Sequence, residues 1–149
     1  MKVYTVSFFG HRTIEQTMRV EEQVEEVIWQ ILKTKEFTNF LVGRNGEFDQ
    51  LVSSAIRRIQ KVQENCLHTL VLPYSMAVYR DNVESFHTYY DQVEICDESA
   101  YFKAAIQKRN REMVDRSDLV VFYVTREEGG TYQTCRYARK KQKKIFLIE

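Results

Sequence analysis

The sequence is poor in the residues that interrupt regular secondary structure. Its 149 residues include one proline, Pro73, and only five glycines. Flexible linkers and long irregular loops are usually rich in these two residue types. We therefore expect helices and strands to follow one another closely. The length suits one domain, residues 1–149, with a core of its own.

Cysteines are also few and far apart. The chain has three, Cys66, Cys96 and Cys135, and no CxxC pair. An odd number of widely spaced cysteines argues against a disulfide framework and favours a reduced cytoplasm as the compartment. We assign no metal site and no cofactor from the sequence.

The chain lacks a long apolar run and an excess of either charge. No apolar run approaches the length of a membrane span, and Val3 to Phe9 is too short and polar for a signal peptide. The net charge is +1. The basic run from Arg136 to Lys144 is assigned to the end of a helix, where it complements the helix dipole. On these grounds we expect neither a membrane nor a nucleic acid as a partner.

Short apolar runs alternate with stretches of helical periodicity along the whole chain. The run from Leu119 to Val124 has no polar alternation, which is typical of a strand covered on both faces. The expected strands are Val3 to Phe9, Phe37 to Val42, Thr69 to Leu72, Tyr89 to Cys96, Leu119 to Val124 and Ile145 to Ile148. The expected helices are Ile14 to Lys35, a stretch around Phe48 to Ile59, a short turn from Asp81 to Phe86, one carrying Phe102 to Met113 and capped by Asp97 or Ser99, and one from Gly129 to about Lys141.

This alternation predicts an α/β fold with three Rossmann-like layers. The sheet would be mostly parallel, with five to six strands and helices on both faces. Ligands of such sheets bind outside the carboxyl ends of the strands. The candidate ligand-binding residues follow strand ends or lie on the helix before Leu119: they are Gly10, His11, Arg12, Gly43, Arg44, Gly46, Tyr74, Arg109, Gly129, Gly130 and Thr131.

Two of these candidates have an alternative structural role. Gly129 and Gly130 open a helix after a strand, so their amides could receive a phosphate, or they could only form a tight turn. Arg109 lies on the apolar stripe of its helix, so its guanidinium either reaches into a pocket or forms an internal ion pair. Asp49 lies in the first turn of a helix, where capping is its expected role.

Three segments resemble the SLOG superfamily of Rossmann-like proteins, which includes DprA-type and LOG-type groups. They are Phe9 to Arg12, Val42 to Asp49 and Arg109 to Thr131, in the order found in the family. The first resembles the Gly-His-Arg signature of small bacterial and phage-element members. The resemblance implies a pocket for a nucleotide or a nucleotide-derived ligand at the strand ends.

The LOG-type members of the superfamily cleave nucleoside monophosphates into free base and ribose 5-phosphate. Arg109 matches their arginine by its setting, and Gly129 to Thr131 match a shortened form of their glycine loop. Thr134 stands where the LOG pattern has its catalytic glutamate, and a hydroxyl supplies no charge for glycosidic cleavage. Glu127 and Glu128 lie just upstream. The candidate catalytic residues are therefore Arg109 and Glu128.

Two functions remain open from the sequence. The first is a nucleotide-binding domain without established catalysis, such as a sensor, in which Tyr74 stacks on a base. The second is a LOG-like phosphoribohydrolase. The DprA resemblance adds single-stranded DNA binding as a third possibility, against which the near-neutral charge speaks. The LOG resemblance also implies a homodimer.

Overall fold

The computed structural model describes residues 1–96 and 102–149. The described strands are β1 (Val3–Gly10), β2 (Phe37–Val42), β3 (Cys66–Leu72), β4 (Gln92–Ile95), β5 (Leu119–Tyr123) and β6 (Ile145–Ile148). The described helices are α1 (Thr17–Thr34), α2 (Glu47–Gln60), α3 (Ala77–Arg80), α4 (Val83–Tyr89), α5 (Phe102–Arg116) and α6 (Gly129–Lys140).

The six strands form one sheet in the order β4-β3-β2-β1-β5-β6, and every neighbouring pair is parallel. The strand β1 lies at the centre, with Val6 opposite Phe40 on one side and Leu119 on the other. The predicted α/β Rossmann-like fold is confirmed.

Successive residues of the central strand point to opposite faces of the sheet, and both faces are covered. Val6 and Phe8 belong to the core under α1 and α2, whereas Phe9 belongs to the core under α5 and α6. The unbroken apolar run of β5 follows from this burial, because all five of its residues are buried.

Several predicted boundaries were wrong by a few residues. The helix α1 begins at Thr17 rather than Ile14, because Gln16 has a left-handed backbone with φ of 56°. The strand β3 begins at Cys66, three residues before the predicted start. Tyr89 ends α4 rather than beginning a strand, and β4 covers only Gln92–Ile95. The predicted caps Asp97 and Ser99 lie outside the described residues.

The strand order places the crevice of the fold beside β1. After β1 the chain continues to β2 on one side, and after β5 it continues to β6 on the other. Ligands of open parallel sheets bind where neighbouring strands diverge in this way. Within the described ranges, no helix is long and apolar enough to cross a membrane.

Candidate functional site

A cavity of about 300 Å³ opens at the carboxyl ends of the strands. It brings the predicted segments after β1, after β2 and at the start of α6 together with the helix α5. Eight of the predicted ligand-binding residues line it: Gly10, His11, Arg12, Gly43, Arg109, Gly129, Gly130 and Thr131. We call this cavity the anion pocket, because of the groups described next.

The guanidinium of Arg109 is buried in the wall of the anion pocket, with 2% of the residue exposed. Its Nε donates to Asn110 Oδ1 at 2.9 Å and its Nη1 to the carbonyl oxygen of Val71 at 2.9 Å. Both partners are neutral, and no carboxylate of the described residues comes within 4.0 Å. The internal ion pair considered for Arg109 is therefore not formed with those residues.

Burial lowers the pKa of the Arg109 guanidinium, and the nearby Asp49 carboxylate opposes that shift. Arginine stays charged under these conditions, because its ordinary pKa is far above neutrality. A positive charge held in the protein by neutral groups lacks a full counter-charge. An anion in the pocket would supply one.

Asp49 lines the same pocket with 8% of the residue exposed. Its Oδ2 accepts a hydrogen bond from the Asn45 main-chain N–H at 2.8 Å, so it holds the loop before α2, a role close to the predicted capping. Burial raises the pKa of this carboxyl, whereas the Asn45 bond and Arg109 oppose the rise. From the sequence we expected a capping role for Asp49 and did not predict that it lines the pocket. Its position just after the glycine turn was a signal for it.

The first turn of α6 lines the pocket with Gly129, Gly130 and Thr131. Gly129 has a φ of 89°, in the left-handed region that favours glycine. The N-cap residue Glu128 makes no side-chain cap hydrogen bond, and the first turn holds no acidic residue. The N–H groups of a first turn have no partner within the helix, and the dipole makes this end positive. Helix starts with these features are where anions commonly bind in proteins.

Two side chains expected to contact the ligand instead hold the pocket together. The Thr131 hydroxyl donates to the Gly10 carbonyl oxygen at 2.9 Å, so its proton is already used. The His11 Nε2 accepts the Thr125 N–H at 3.0 Å, and burial together with Arg126 lowers the pKa of the imidazole. His11 is thus a neutral acceptor that joins the loops after β1 and β5.

The mouth of the pocket is positively charged. Arg12 and Arg126 line it and are exposed. With Arg109, the described residues that line the pocket include three arginines and one carboxylate, that of Asp49. Arg126 was missed from the sequence, although its place just after a strand was the same signal that singled out Arg12. The net charge of the whole chain therefore says little about this surface.

Three predicted residues lie outside the anion pocket. Arg44 points to a neighbouring cavity, with its Cζ 5.1 Å from the centre of the Phe86 ring. Gly46 packs against the main chain of Arg12, where a Cβ would lie 2.5 Å from the Arg12 Cα. Tyr74 is half-buried and lines neither cavity.

The candidate catalytic residue Glu128 is directed to solvent. Its side chain is 79% exposed and lies 3.8 Å from the Arg126 Nε. Thr134 is buried, accepts from Asn110 Nδ2 at 3.1 Å and donates to the Gly130 carbonyl at 2.9 Å. Neither residue provides a carboxylate to the pocket. Across the described part of the chain, no cluster of metal-ligating side chains is present.

A second cavity, of about 360 Å³, adjoins the anion pocket and has aromatic walls. Gly43 and Asp49 line both cavities. We call this second cavity the aromatic cavity. Its other lining residues are Arg44, Gln50, Ser53, Ser85, Phe86, Tyr89 and Tyr90.

The arrangement of parallel strands and covering helices is that of a Rossmann-like α/β domain. No family model and no curated protein matches the sequence. Among solved structures, DNA processing protein A from Helicobacter pylori matches with a TM-score of 0.69 at 15% identity, over 97% of this chain and 64% of that protein. DNA processing protein A from Streptococcus pneumoniae matches with a TM-score of 0.66 at 14% identity, over 97% and 50%.

These matches establish the fold, and the chain spans only about half to two thirds of those proteins. The Helicobacter pylori protein binds single-stranded DNA. Our expectation that nucleic acid is not a partner was therefore wrong. It rested on the net charge of +1, and an average over the chain does not describe the charge at one rim of the sheet.

Proposed function

We propose that this protein binds the phosphate of a nucleotide or of a nucleotide-derived ligand in the anion pocket. The observation that carries the proposal is the meeting of a buried guanidinium, Arg109, with the uncapped start of α6 in one cavity. A charged donor and several main-chain N–H groups around one space suit a phosphate better than any neutral ligand.

The same phosphate chemistry can come from a free nucleotide or from single-stranded DNA. A specific observation favours testing DNA, because the run from Arg136 to Lys144 has six basic residues and no acidic one. Arg136, Arg139 and Lys140 belong to α6 and are exposed. A strand whose phosphate entered the pocket at the start of α6 could continue along this surface.

The decisive variant changes the charge at the start of α6 while leaving Arg109 in place. A Cβ on Gly130 would lie 3.6 Å from the Gln107 Nε2, which is an ordinary contact, so a side chain fits. In Gly130→Asp a carboxylate repels the phosphate, whereas Gly130→Asn has nearly the same shape without the charge.

Binding is measured by thermal shift and by calorimetry with inorganic phosphate, AMP, ADP-ribose and NAD, and by gel shift with a thymidine oligonucleotide. We expect at least one of these to bind and Gly130→Asp to weaken it about tenfold or more relative to Gly130→Asn. Absence of binding by every probe at millimolar concentration would contradict the proposal. Equal affinity of the two variants would do the same.

Asp49 favours a second candidate, hydrolysis of a nucleoside monophosphate to free base and ribose 5-phosphate. It is the one carboxylate among the described residues that line the anion pocket, and burial raises its pKa. Such a carboxyl can assist glycosidic cleavage, as in other glycoside-cleaving enzymes. Incubation with AMP and chromatography for adenine tests it, with Asp49→Asn as the inactive control. Binding without base release would leave only the first candidate.

A further inference from the structure

The aromatic cavity adjoins the anion pocket at Gly43 and Asp49, which line both. A Cβ on Gly43 would lie 3.1 Å from the Asp49 Oδ2 and 3.2 Å from the Arg109 Nη1. Those distances are tight for a side chain, so glycine at this position leaves space between the carboxylate and the guanidinium. A ligand that reached from one cavity to the other would pass beside these two groups.

The walls of the aromatic cavity combine flat rings with polar groups. Tyr89 and Tyr90 meet with ring centroids 4.8 Å apart, and Phe86 lies 6.2 Å from Tyr90. Tyr89 is half-buried and so presents part of its surface to the cavity, whereas Phe86 and Tyr90 form buried walls. The rings of Tyr89 and Tyr90 meet at 74° and those of Phe86 and Tyr90 at 34°. Aromatic side chains set at different angles offer both ring faces and ring edges to a flat aromatic ligand.

Polar side chains occur on the same walls. The Ser53 hydroxyl is fixed by a 2.8 Å hydrogen bond with the His68 Nε2, and Gln50 and Ser85 are exposed on the rim. A few placed hydrogen-bonding groups among aromatic side chains are what orients a ligand in a pocket. A nucleobase has a flat face for the rings and polar edges for these groups.

We propose that the aromatic cavity receives the nucleobase of the ligand whose phosphate occupies the anion pocket. The sugar would then lie between the two, beside Gly43 and Asp49, where a carboxylate can accept hydrogen bonds from sugar hydroxyls. This inference rests on the proposed function, because it needs the phosphate in the anion pocket. It differs from the sequence-based expectation, which gave the base to Tyr74.

Calorimetry with AMP, GMP, CMP and UMP against ribose 5-phosphate isolates the contribution of the base. We expect at least one nucleotide to bind about tenfold more tightly than ribose 5-phosphate, the size of effect that stacking on aromatic side chains gives. If ribose 5-phosphate binds and all four nucleotides bind no more tightly, the base site is wrong and the proposed function stands. If neither the sugar phosphate nor any of the four nucleotides binds, the base site is wrong. The proposed function is then wrong as well unless inorganic phosphate, ADP-ribose, NAD or the oligonucleotide binds.

A pair of tyrosine variants locates the base. Tyr89 is half-buried with the Arg57 Cζ 4.3 Å from its ring centre, and Tyr4 is half-buried with the Lys35 Nζ at 4.4 Å. Tyr4 is near the amino end of β1, away from the site. We expect Tyr89→Leu to remove most of the nucleotide's advantage over ribose 5-phosphate and Tyr4→Leu to leave it intact. An unchanged advantage in Tyr89→Leu would overturn the inference.

A third variant fills the cavity without removing a wall. Ser85 is exposed on its rim, so Ser85→Trp places a ring at the entrance at little expected cost in folding. We expect its affinity for ribose 5-phosphate to match the unmodified protein while the affinity for the preferred nucleotide falls about tenfold. If a folded Ser85→Trp variant keeps its affinity for the preferred nucleotide as well as for ribose 5-phosphate, the base does not occupy the aromatic cavity.

Discussion

At the scale of single residues, the site depends on how two arginines of one helix are divided between core and solvent. Arg109 and Arg111 are two positions apart on α5, yet Arg109 is buried in the anion pocket and Arg111 is exposed. Two residues turn a helix by roughly 200°, so the two side chains leave it on opposite sides. Substituting each arginine in turn therefore separates the effect of a buried charge in the pocket on ligand binding from the effect of the protein's overall charge.

We expect Arg109→Met to weaken binding of inorganic phosphate or AMP about tenfold or more, because it removes the buried guanidinium that lines the pocket while keeping a long apolar stem. Arg111→Met loses the same charge from the surface and should bind as the unmodified protein does. Calorimetry on both variants, after circular dichroism shows that they are folded, makes the comparison. Equal losses in the two variants would mean that Arg109 acts only through overall charge.

Gly10 shows a different constraint at the residue scale. A Cβ at Gly10 would overlap the ring and Cβ of Phe48, which is fully buried. We expect Gly10→Ala to lower the free energy of unfolding by about 1–3 kcal/mol, as overpacking usually does. Gly130→Ala is the control, because its Cβ meets only the end of Gln107. Urea unfolding measures both, and a Gly10→Ala as stable as its parent would show that Phe48 moves freely.

At the scale of elements, most of the architecture could be predicted from the sequence, because strand and helix periodicities differ. The strands β2 and β6 have the predicted bounds. The errors fell where the local pattern was weak. Tyr89 and Tyr90 suit a strand by propensity, but Tyr89 ends α4 and Tyr90 follows it. The Tyr90 ring is buried in the core that includes residues of α2 and β3, and the Tyr89 ring is half-buried against that core.

The sequence predicted which segments meet at the site, because it predicted where the strands end. Parallel strands bring their carboxyl ends to one rim, so the meeting of Gly10, Gly43 and Gly129 followed from the alternation. The direction of each side chain did not follow. Arg44 turns to Phe86 because α4 offers an aromatic face, and nothing in the sequence around Arg44 specifies that contact.

The contact between α2 and β3 predicts how stability depends on pH. His68 is fully buried against Ser53, and burial lowers the pKa of its imidazole to about 4. The unfolded chain binds a proton near pH 6.5, so the folded state loses stability as the pH falls from about 6.5 towards 4. Between pH 7 and pH 5 the loss is about 2 kcal/mol.

Urea unfolding at pH 7 and pH 5 measures this dependence. We expect His68→Asn to reduce it, because asparagine does not titrate and can still bond to Ser53. His87→Asn is the control, since His87 is exposed and bonds to the Tyr79 hydroxyl. The same slope with pH in all three proteins would mean that another group accounts for it.

At the scale of the whole molecule, the charge is uneven although its sum is near zero. The rim of the sheet is arginine-rich, and α6 continues it as a basic, exposed surface. A free nucleotide would engage only the anion pocket and the aromatic cavity, whereas single-stranded DNA would also engage the basic surface of α6. The two ligands should therefore respond differently to salt and to substitution far from the pocket.

We expect the double variant Arg136→Gln, Lys140→Gln to bind AMP as before and to bind a thymidine oligonucleotide more weakly, with a shallower dependence on salt. Each lost phosphate contact lowers the slope of log affinity against log salt by about 0.7. Gel shifts at several salt concentrations between about 50 and 200 mM give the slope of log affinity against log salt for each protein. If the salt dependence of oligonucleotide binding is the same in the double variant as in the unmodified protein, the basic residues of α6 do not contact the DNA.

Hydrogen bonds fasten the loops around the anion pocket to one another, among them those of Thr131 to Gly10, Thr125 to His11 and Glu47 to Arg12. The anion pocket is consequently assembled when the chain folds, before any ligand binds. A ligand would then need to order few loop residues on binding. We therefore expect fast association and little change in the conformation of the protein.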